Sequence, residues 1–408
     1  MTGIELQNLL IVVAVAFAVP FMLGLAPGLR LPAVVLEIVA GIVIGPSVLA
    51  WVEVDDPVRV LAVLGLAFLL FLSGLEIELD RLRGRPLALT SAGFAMSIAL
   101  ALVVASGLYA VGLAGSPVFV AIVLTATSLG IVVPVLKDAG VIASGFGQLV
   151  VAAGSIADFG AIILLSLLFS REGGGVGSQA FVLASFAVLA GVVAVGVFAL
   201  EHAPSLSAVL LRLQDTTAQI RVRGAFVLLV ALAALAETLG LETILGAFVA
   251  GLLLSTLDRD RVMTHPDFRH KLEAIGFGVF IPVFFVTSGV RFDLDALTAS
   301  ADTLLRVPVF LAALLVVRGL PALLYRNEVG GRHTAVAAML QATSLPFVVA
   351  ATQIGVEIGA IDGATAAALV GAGILSVLVF PAGALAVLGG RSERAVEPEP
   401  VGEPARLS

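Results

Sequence analysis

The chain has 408 residues, of which 60% are apolar and 12% charged, with a mean hydropathy of +1.15; soluble domains carry charge on about a quarter of their residues. That composition marks a polytopic membrane protein, and the lack of any cysteine excludes disulfides, thiolate metal sites and cysteine nucleophiles. The formal net charge of −7 decides little, because in a membrane the distribution of charge matters more than its sum.

Crossing a bilayer takes about 20 apolar residues. Thirteen such stretches are predicted, at 5–26, 32–51, 58–79, 86–113, 116–137, 145–169, 178–200, 220–239, 241–257, 272–290, 303–324, 332–355 and 360–389. The N-terminus, Met1-Thr2-Gly3-Ile4-Glu5, lacks the basic region of a cleaved signal peptide, so the first stretch is read as a transmembrane helix. Residues 203–219 form a linker, and the glycines within 173–177 an external loop; these glycines follow no strand and do not make a nucleotide site. The Glu- and Pro-rich tail at 391–408 is expected to be disordered and cytoplasmic.

Loop charge sets the orientation. With the N-terminus outside, seventeen basic residues fall in inward segments and four (Arg59, Arg171, Arg291 and Arg306) outside. All four histidines, at 202, 265, 270 and 333, also fall inside.

Residues 126–134 read Ala-Thr-Ser-Leu-Gly-Ile-Val-Val-Pro, and residues 342–350 read Ala-Thr-Ser-Leu-Pro-Phe-Val-Val-Ala; six of nine positions agree. Each copy lies inside a long apolar stretch and mixes hydroxyls with helix breakers, Gly130 and Pro134 in one and Pro346 in the other. A membrane helix has no use for such a break at its centre unless backbone groups are needed there. The fifth stretch runs inward and the twelfth outward, so the copies are antiparallel. The chain is therefore read as an all-α polytopic membrane protein with an inverted-topology repeat and two broken helices, interrupted around Thr127, Ser128 and Gly130 and around Thr343, Ser344 and Pro346.

Asp158, near the middle of the sixth stretch, costs ~2.5–3.5 kcal/mol to place at the bilayer centre, so it is expected either to be protonated or to hold a cation. Desolvation favours the proton and a bound cation the charge. One carboxylate can thus carry either, but not both at once. Ser155, three residues earlier, shares its helix face and offers a neutral oxygen; carbonyls freed at the breaks would add the hard oxygen ligands that suit an alkali cation. Arg318, in the eleventh stretch, is read as a fixed charge beside the broken helices, one that Lys could replace; the competing reading has it snorkelling to the inner surface. Glu37 and Glu76 are candidate auxiliary acids, Glu76 near an inner helix end. Gly41-x-x-x-Gly45 allows close helix approach, and Glu237 is read as solvated.

Taken together, Glu37 to Ser47, Phe71 to Glu76, Thr125 to Leu136, Asp158, Leu245 to Gly251 and Pro282 to Gly289 resemble the monovalent cation:proton antiporter superfamily, over nearly all of residues 5–390. The nearest likeness is to the branch holding bacterial sodium/proton antiporters and potassium-efflux transport modules. The resemblance implies a homodimer in the plasma membrane. It also implies a mobile core of helices four to six and eleven to thirteen (about 86–169 and 303–389), a dimerisation domain made of the rest, and broken helices that cross beside Asp158. The implied activity is Na+ or K+ exchange for H+, with no enzymatic chemistry and no cofactor; a potassium-efflux module needing a partner and a sodium-coupled organic-anion symporter are the alternatives. Two departures stand out. Ala157 replaces the Asp, Asn or Gln that usually precedes the essential Asp, and Arg318 replaces the Lys of electrogenic relatives, so one-for-one, electroneutral exchange is expected. A cytoplasmic nucleotide-binding domain is not expected after Gly390.

Overall fold

The computed structural model describes residues 6–25, 32–76, 85–169, 176–202, 219–257 and 266–389. The tail at 391–408, linker residues 203–218 and many of the loop cations, including Arg30, Arg81, Arg83, Arg171, Arg259 and Arg261, lie outside the described residues.

Among the described residues every regular element is a helix. In chain order they are α1 (Gln7–Leu25), α2 (Ala33–Ile44), α3 (Asp56–Leu75), α4 (Arg85–Ala110), α5 (Pro117–Thr125), α6 (Leu129–Asp138), α7 (Gly145–Leu168) and α8 (Val176–His202). Then follow α9 (Ile220–Thr238), α10 (Thr243–Leu257), α11 (Pro266–Ile275), α12 (Ile281–Val290), α13 (Leu294–Thr298), α14 (Ala301–Leu314), α15 (Arg326–Gln341), α16 (Pro346–Glu357) and α17 (Gly363–Gly389). A π turn at Gly276–Phe280 joins α11 to α12; a π turn at Leu315–Gly319 and a 3-10 turn at Leu320–Tyr325 join α14 to α15.

Helix ends follow local chemistry. The predicted stretch 32–51 is helical only to Ile44, because the residue before a proline is pushed to extended backbone, and Gly45 stands before Pro46 with ψ 178°. α3 starts two residues earlier than predicted, where the Asp55 side chain accepts from the Val58 N–H and Pro57 sits in the first turn. Length and apolarity alone mark nine crossing segments among the described residues. One of these, Ala301–Glu357, runs through two predicted stretches, so this criterion does not reproduce the count of thirteen.

The helices pack as two groups. α2, α3, α10 and α12 form the first, with α1 and α9 outside them; α4 to α7 and α14 to α17 form the second, and α8 touches both α7 and α10. In the first group the backbones approach through glycine, as helix association in lipid requires. A Cβ on Gly251 would stand 1.9 Å from the Phe71 carbonyl oxygen, and one on Gly41 would stand 2.1 Å from that of Val286. Between the groups runs an apolar seam, where Ile38, Phe284 and Phe285 share a cluster with Leu345, Val349 and Val370.

Gly251→Ala is therefore expected to cost about 1–3 kcal/mol of stability, since overpacking moves backbone against backbone. Gly191→Ala, which adds its methyl to open space on α8, should cost nothing. Thermal unfolding of the two variants in detergent, compared with the parent, checks the difference.

Candidate functional site

The site is built from two interruptions in the second group. α5 ends at Thr125, Ala126 and Ser128 are extended, and α6 begins at Leu129; α15 ends at Gln341, and α16 begins at Pro346. The Ser128 N–H donates to the Thr343 carbonyl (2.9 Å), and the Thr127 hydroxyl donates to the Gln341 carbonyl (2.7 Å). At the far end the Ser116 N–H, just ahead of α5, donates to the Ala360 carbonyl (3.0 Å), beyond the end of α16. The start of one broken helix thus lies beside the end of the other, and their middles touch. The pair is antiparallel, an inverted repeat with two broken helices that cross.

The breaks fall slightly away from the expected residues. Gly130 is the second residue of α6, two positions past Ser128 at the crossing, with open space where a side chain would go. Pro134 lies within α6. A proline ring crowds the carbonyl four residues back, and that residue is Gly130. Pro346 sits in the first turn of α16, where its missing N–H costs nothing.

Asp158 lies in the middle of α7, 8% exposed, and its Oδ1 accepts from the Thr127 N–H (3.2 Å). The positive end of α6 begins two residues after Thr127, which favours negative charge there. The Thr127 carbonyl, in the residue whose N–H meets the carboxylate, accepts no hydrogen bond among the described residues and keeps its lone pairs, whereas the Ala126 carbonyl, trans to that N–H across one peptide, points away from Asp158. Ser155 is buried one turn earlier; its hydroxyl donates to the Val151 carbonyl (3.0 Å) and keeps its lone pairs. The Ser128 side chain makes no cap to α6. Among the described residues no three His, Cys, Asp or Glu side chains cluster, so the donor set at Asp158 is one carboxylate with neutral oxygens, suited to a monovalent ion.

Arg318 is 1% exposed. Its Nε donates to the Thr127 hydroxyl (2.9 Å), Nη1 to the Ser97 hydroxyl (3.0 Å) and Nη2 to the Ala153 carbonyl (3.4 Å). The wide turn at Leu315–Gly319 turns Val317, Arg318 and Gly319 inward while Val316 and Leu320 stay exposed. Arg318 thus does not snorkel. It reaches Asp158 through Thr127, whose N–H serves the carboxylate and whose hydroxyl serves the guanidinium.

The crossing brings together Asp158, Thr127, Ser128, Thr343 and Arg318. Ser344 is turned to α17, where its N–H donates to the Ser376 hydroxyl (3.1 Å). Glu76 ends α3, with Oε1 4.0 Å from Arg269, which also holds Glu273 at 2.9 Å. Glu37 is buried in α2, in the other helix group, and Glu237 is exposed. Sequence reasoning missed Ser97, Ser376 and Gln341. Only Gln341 carried a visible signal, an amide one residue ahead of the second repeat in an otherwise apolar run.

Crossed, antiparallel broken helices at a buried carboxylate define a membrane transporter of the inverted-repeat class. The model of the transmembrane part of sodium/hydrogen exchangers matches residues 13–388, and the chain belongs to that family, which consists of transporters and not enzymes. It is 31% identical over 396 residues to YjbQ of Bacillus subtilis, provisionally named a Na+/H+ antiporter; the match covers 93% of this chain and 63% of YjbQ. It is 26% identical over 387 residues to another provisionally named Na+/H+ antiporter, number 3 of Methanocaldococcus jannaschii, covering 91% and 93% of the two chains. The solved structure of MjNhaP1, a sodium proton antiporter of the same archaeon, superposes with a TM-score of 0.61 at 14% identity, over 94% of this chain and 99% of that one.

The geometry weighs against Lys in place of Arg318, because three separate guanidinium nitrogens are used and an ammonium is a point charge. Hydrogen bonds to charged groups contribute about 1.5–3 kcal/mol each. Arg318→Lys should therefore lower stability by about 3 kcal/mol or more, read as a large fall in melting temperature. Thr127→Val, which leaves the Arg318 Nε buried and unpaired, should cost about 1–3 kcal/mol, whereas Thr127→Ser should melt like the parent.

Proposed function

We propose that this protein is a secondary antiporter that exchanges a monovalent cation, Na+ or K+, for H+ by alternating access. The observation that carries the reading is the single carboxylate at the crossing, Asp158, buried where the first helix breaks and held by the Thr127 N–H at the start of α6. A proton and a cation compete for that carboxylate, and Thr127, Ser128 and Ser155 supply the neutral oxygens; Thr127 does so with its carbonyl, since its hydroxyl is committed to Gln341 and Arg318. The names of the relatives support the activity. The chain spans 63% of the length of YjbQ.

In this reading the core at about 86–169 and 303–389 slides along the apolar seam and carries Asp158 from one side of the membrane to the other. The remaining helices form a fixed scaffold that pairs with a second copy as a homodimer in the plasma membrane, with the N-terminus outside. The apolar faces of α1 and α8, with Phe17, Phe21, Val192 and Val195 exposed, are available to lipid or to that second copy.

Asp158→Asn keeps the shape and removes the titratable charge. In proteoliposomes loaded with a pH-sensitive dye it should abolish collapse of a pH gradient by Na+, K+ or Li+, with melting temperature retained; exchange at the parent rate would overturn the mechanism.

Stoichiometry follows from the same site. Ala157 beside Asp158 is apolar and fully buried, and Arg318 keeps its charge through its three hydrogen bonds. One carboxylate then trades one proton for one monovalent cation and moves no net charge. Had a unit charge crossed, the voltage would act on it with ~2.3 kcal/mol per 100 mV. Exchange measured in liposomes at zero and at about −100 mV should proceed at the same rate; a several-fold change would show a second titrating group.

A further inference from the structure

A cavity of about 250 Å3 opens between α12 of the first helix group and α16 and α17 of the second. Val349 and Val370 form part of its wall toward the crossing, and Arg291, Asp293 and Glu357 lie at its mouth. Across it the Gln353 Nε2 donates to the Ser288 hydroxyl at 2.9 Å, and that hydroxyl donates to the Phe284 carbonyl at 2.7 Å. The two partners belong to bodies that are each fixed elsewhere. α12 is fastened to α2 by glycine contacts, where a Cβ on Gly289 would stand 2.1 Å from the Ile38 carbonyl oxygen. α16 packs on α5 and α17. The seam below the bond is apolar, with Phe284 and Phe285 against Leu345 and Val349, so it offers little to hold one position against a sliding motion. The bond lies two helical turns beyond Pro346 along the half-helix that starts at the crossing.

We propose that Gln353 is a positioning residue whose hydrogen bond to Ser288 latches the second broken helix to the neighbouring group and closes the path from this cavity to Asp158, so that each turnover breaks and remakes the bond. The proposal rests on the alternating-access reading above. A single neutral hydrogen bond suits such a latch, because its net worth is small enough to be broken thermally and large enough to bias two states. The cavity end carrying Arg291 and Glu357 is the outer one in the proposed orientation, so the latch guards the outer entrance.

Losing the latch should populate the state open to this cavity. Gln353→Ala, Ser288→Ala and the double variant should show the same effect, a fall of about three- to ten-fold in apparent KM for cation presented on the cavity side, with an opposite shift on the other side. Ser288→Thr, which keeps the hydroxyl, should behave as the parent. Additive effects in the double variant, or KM values unchanged on both sides, would overturn the proposal. The chain lacks cysteine, so Ser288→Cys with Gln353→Cys can be bridged by a short bis-methanethiosulfonate; the glutamine side chain contributes length that a direct disulfide lacks. Bridged protein should stop exchanging and recover on reduction. Failure to bridge, or exchange that persists when bridged, would refute the latch. A readout free of transport uses Val349→Cys and an impermeant maleimide: labelling should be several-fold faster when Gln353→Ala is added, and equal rates would refute the latch. Should the parent exchange no cation for protons, the antiport reading fails, and the labelling still decides the latch.

Discussion

Everything at the centre of this protein depends on backbone groups that cannot be left unpaired in lipid. A helix interrupted in a bilayer exposes N–H and carbonyl groups at several kcal/mol each. Here the two interruptions offset part of that cost for one another, since the Ser128 N–H meets the Thr343 carbonyl and the Thr127 hydroxyl meets the Gln341 carbonyl. Ser376 ties down the second break by serving the Ser344 N–H. Neither interruption is satisfied alone; the first break supplies the donors and the second the acceptors. What remains unpaired after this exchange includes the carbonyl of Thr127, the residue whose N–H meets Asp158.

Arg318 sets the second constraint. A guanidinium buried to 1% exposure is tolerated only if its donors are used. Its three nitrogens reach α4 at Ser97, α7 at Ala153 and the first break at Thr127. The same charge that balances Asp158 therefore clamps the three elements that surround it. Because the connection to Asp158 passes through Thr127 instead of a direct ion pair, both carboxylate oxygens are not captured by the guanidinium, and a mobile cation need not displace a fixed one. An Arg–carboxylate fork would be a stronger contact, and a poorer site for the cation exchange proposed above.

Much of this was legible in the chain. The long apolar runs gave the helices, and the repeated Ala-Thr-Ser-Leu gave both breaks and their antiparallel relation, because a twice-used local solution leaves a twice-used sequence. Asp158 was legible from the price of a carboxylate at mid-membrane. The exact breakpoints were less so. Gly130 and Pro134 mark the first interruption, yet the chain opens ahead of them at 126–128, since what breaks α5 is the pairing with Thr343 and Gln341, more than 200 residues away. Ser97 was invisible for a similar reason. A lone serine in an apolar helix bonds its own preceding carbonyls as a rule, and only the turn at Leu315–Gly319, which brings Arg318 inward, gives it a different task. The same turn decides the fate of Arg318, which on helix periodicity alone had a route to the membrane surface.

The seam between the two helix groups completes the physical picture. Within the first group the helices meet through glycine, carbonyl oxygen to Cα, an arrangement with no slack: a single methyl at Gly41, Gly251 or Gly289 collides with backbone. Across the seam the contacts are instead between side chains, with Ile38 and Phe285 facing Leu345 and Val349, and Phe159, the neighbour of Asp158, stacking on Phe248 of α10 at 5.7 Å. Backbone-locked glycine contacts resist displacement, whereas apolar side chains change rotamer and exchange one partner for another at small cost. Stiffness therefore lies inside the group and compliance between the groups. The proposed sliding of one group past the other would need that distribution of stiffness, and the Phe159–Phe248 stack sets one such compliant contact a single residue from Asp158.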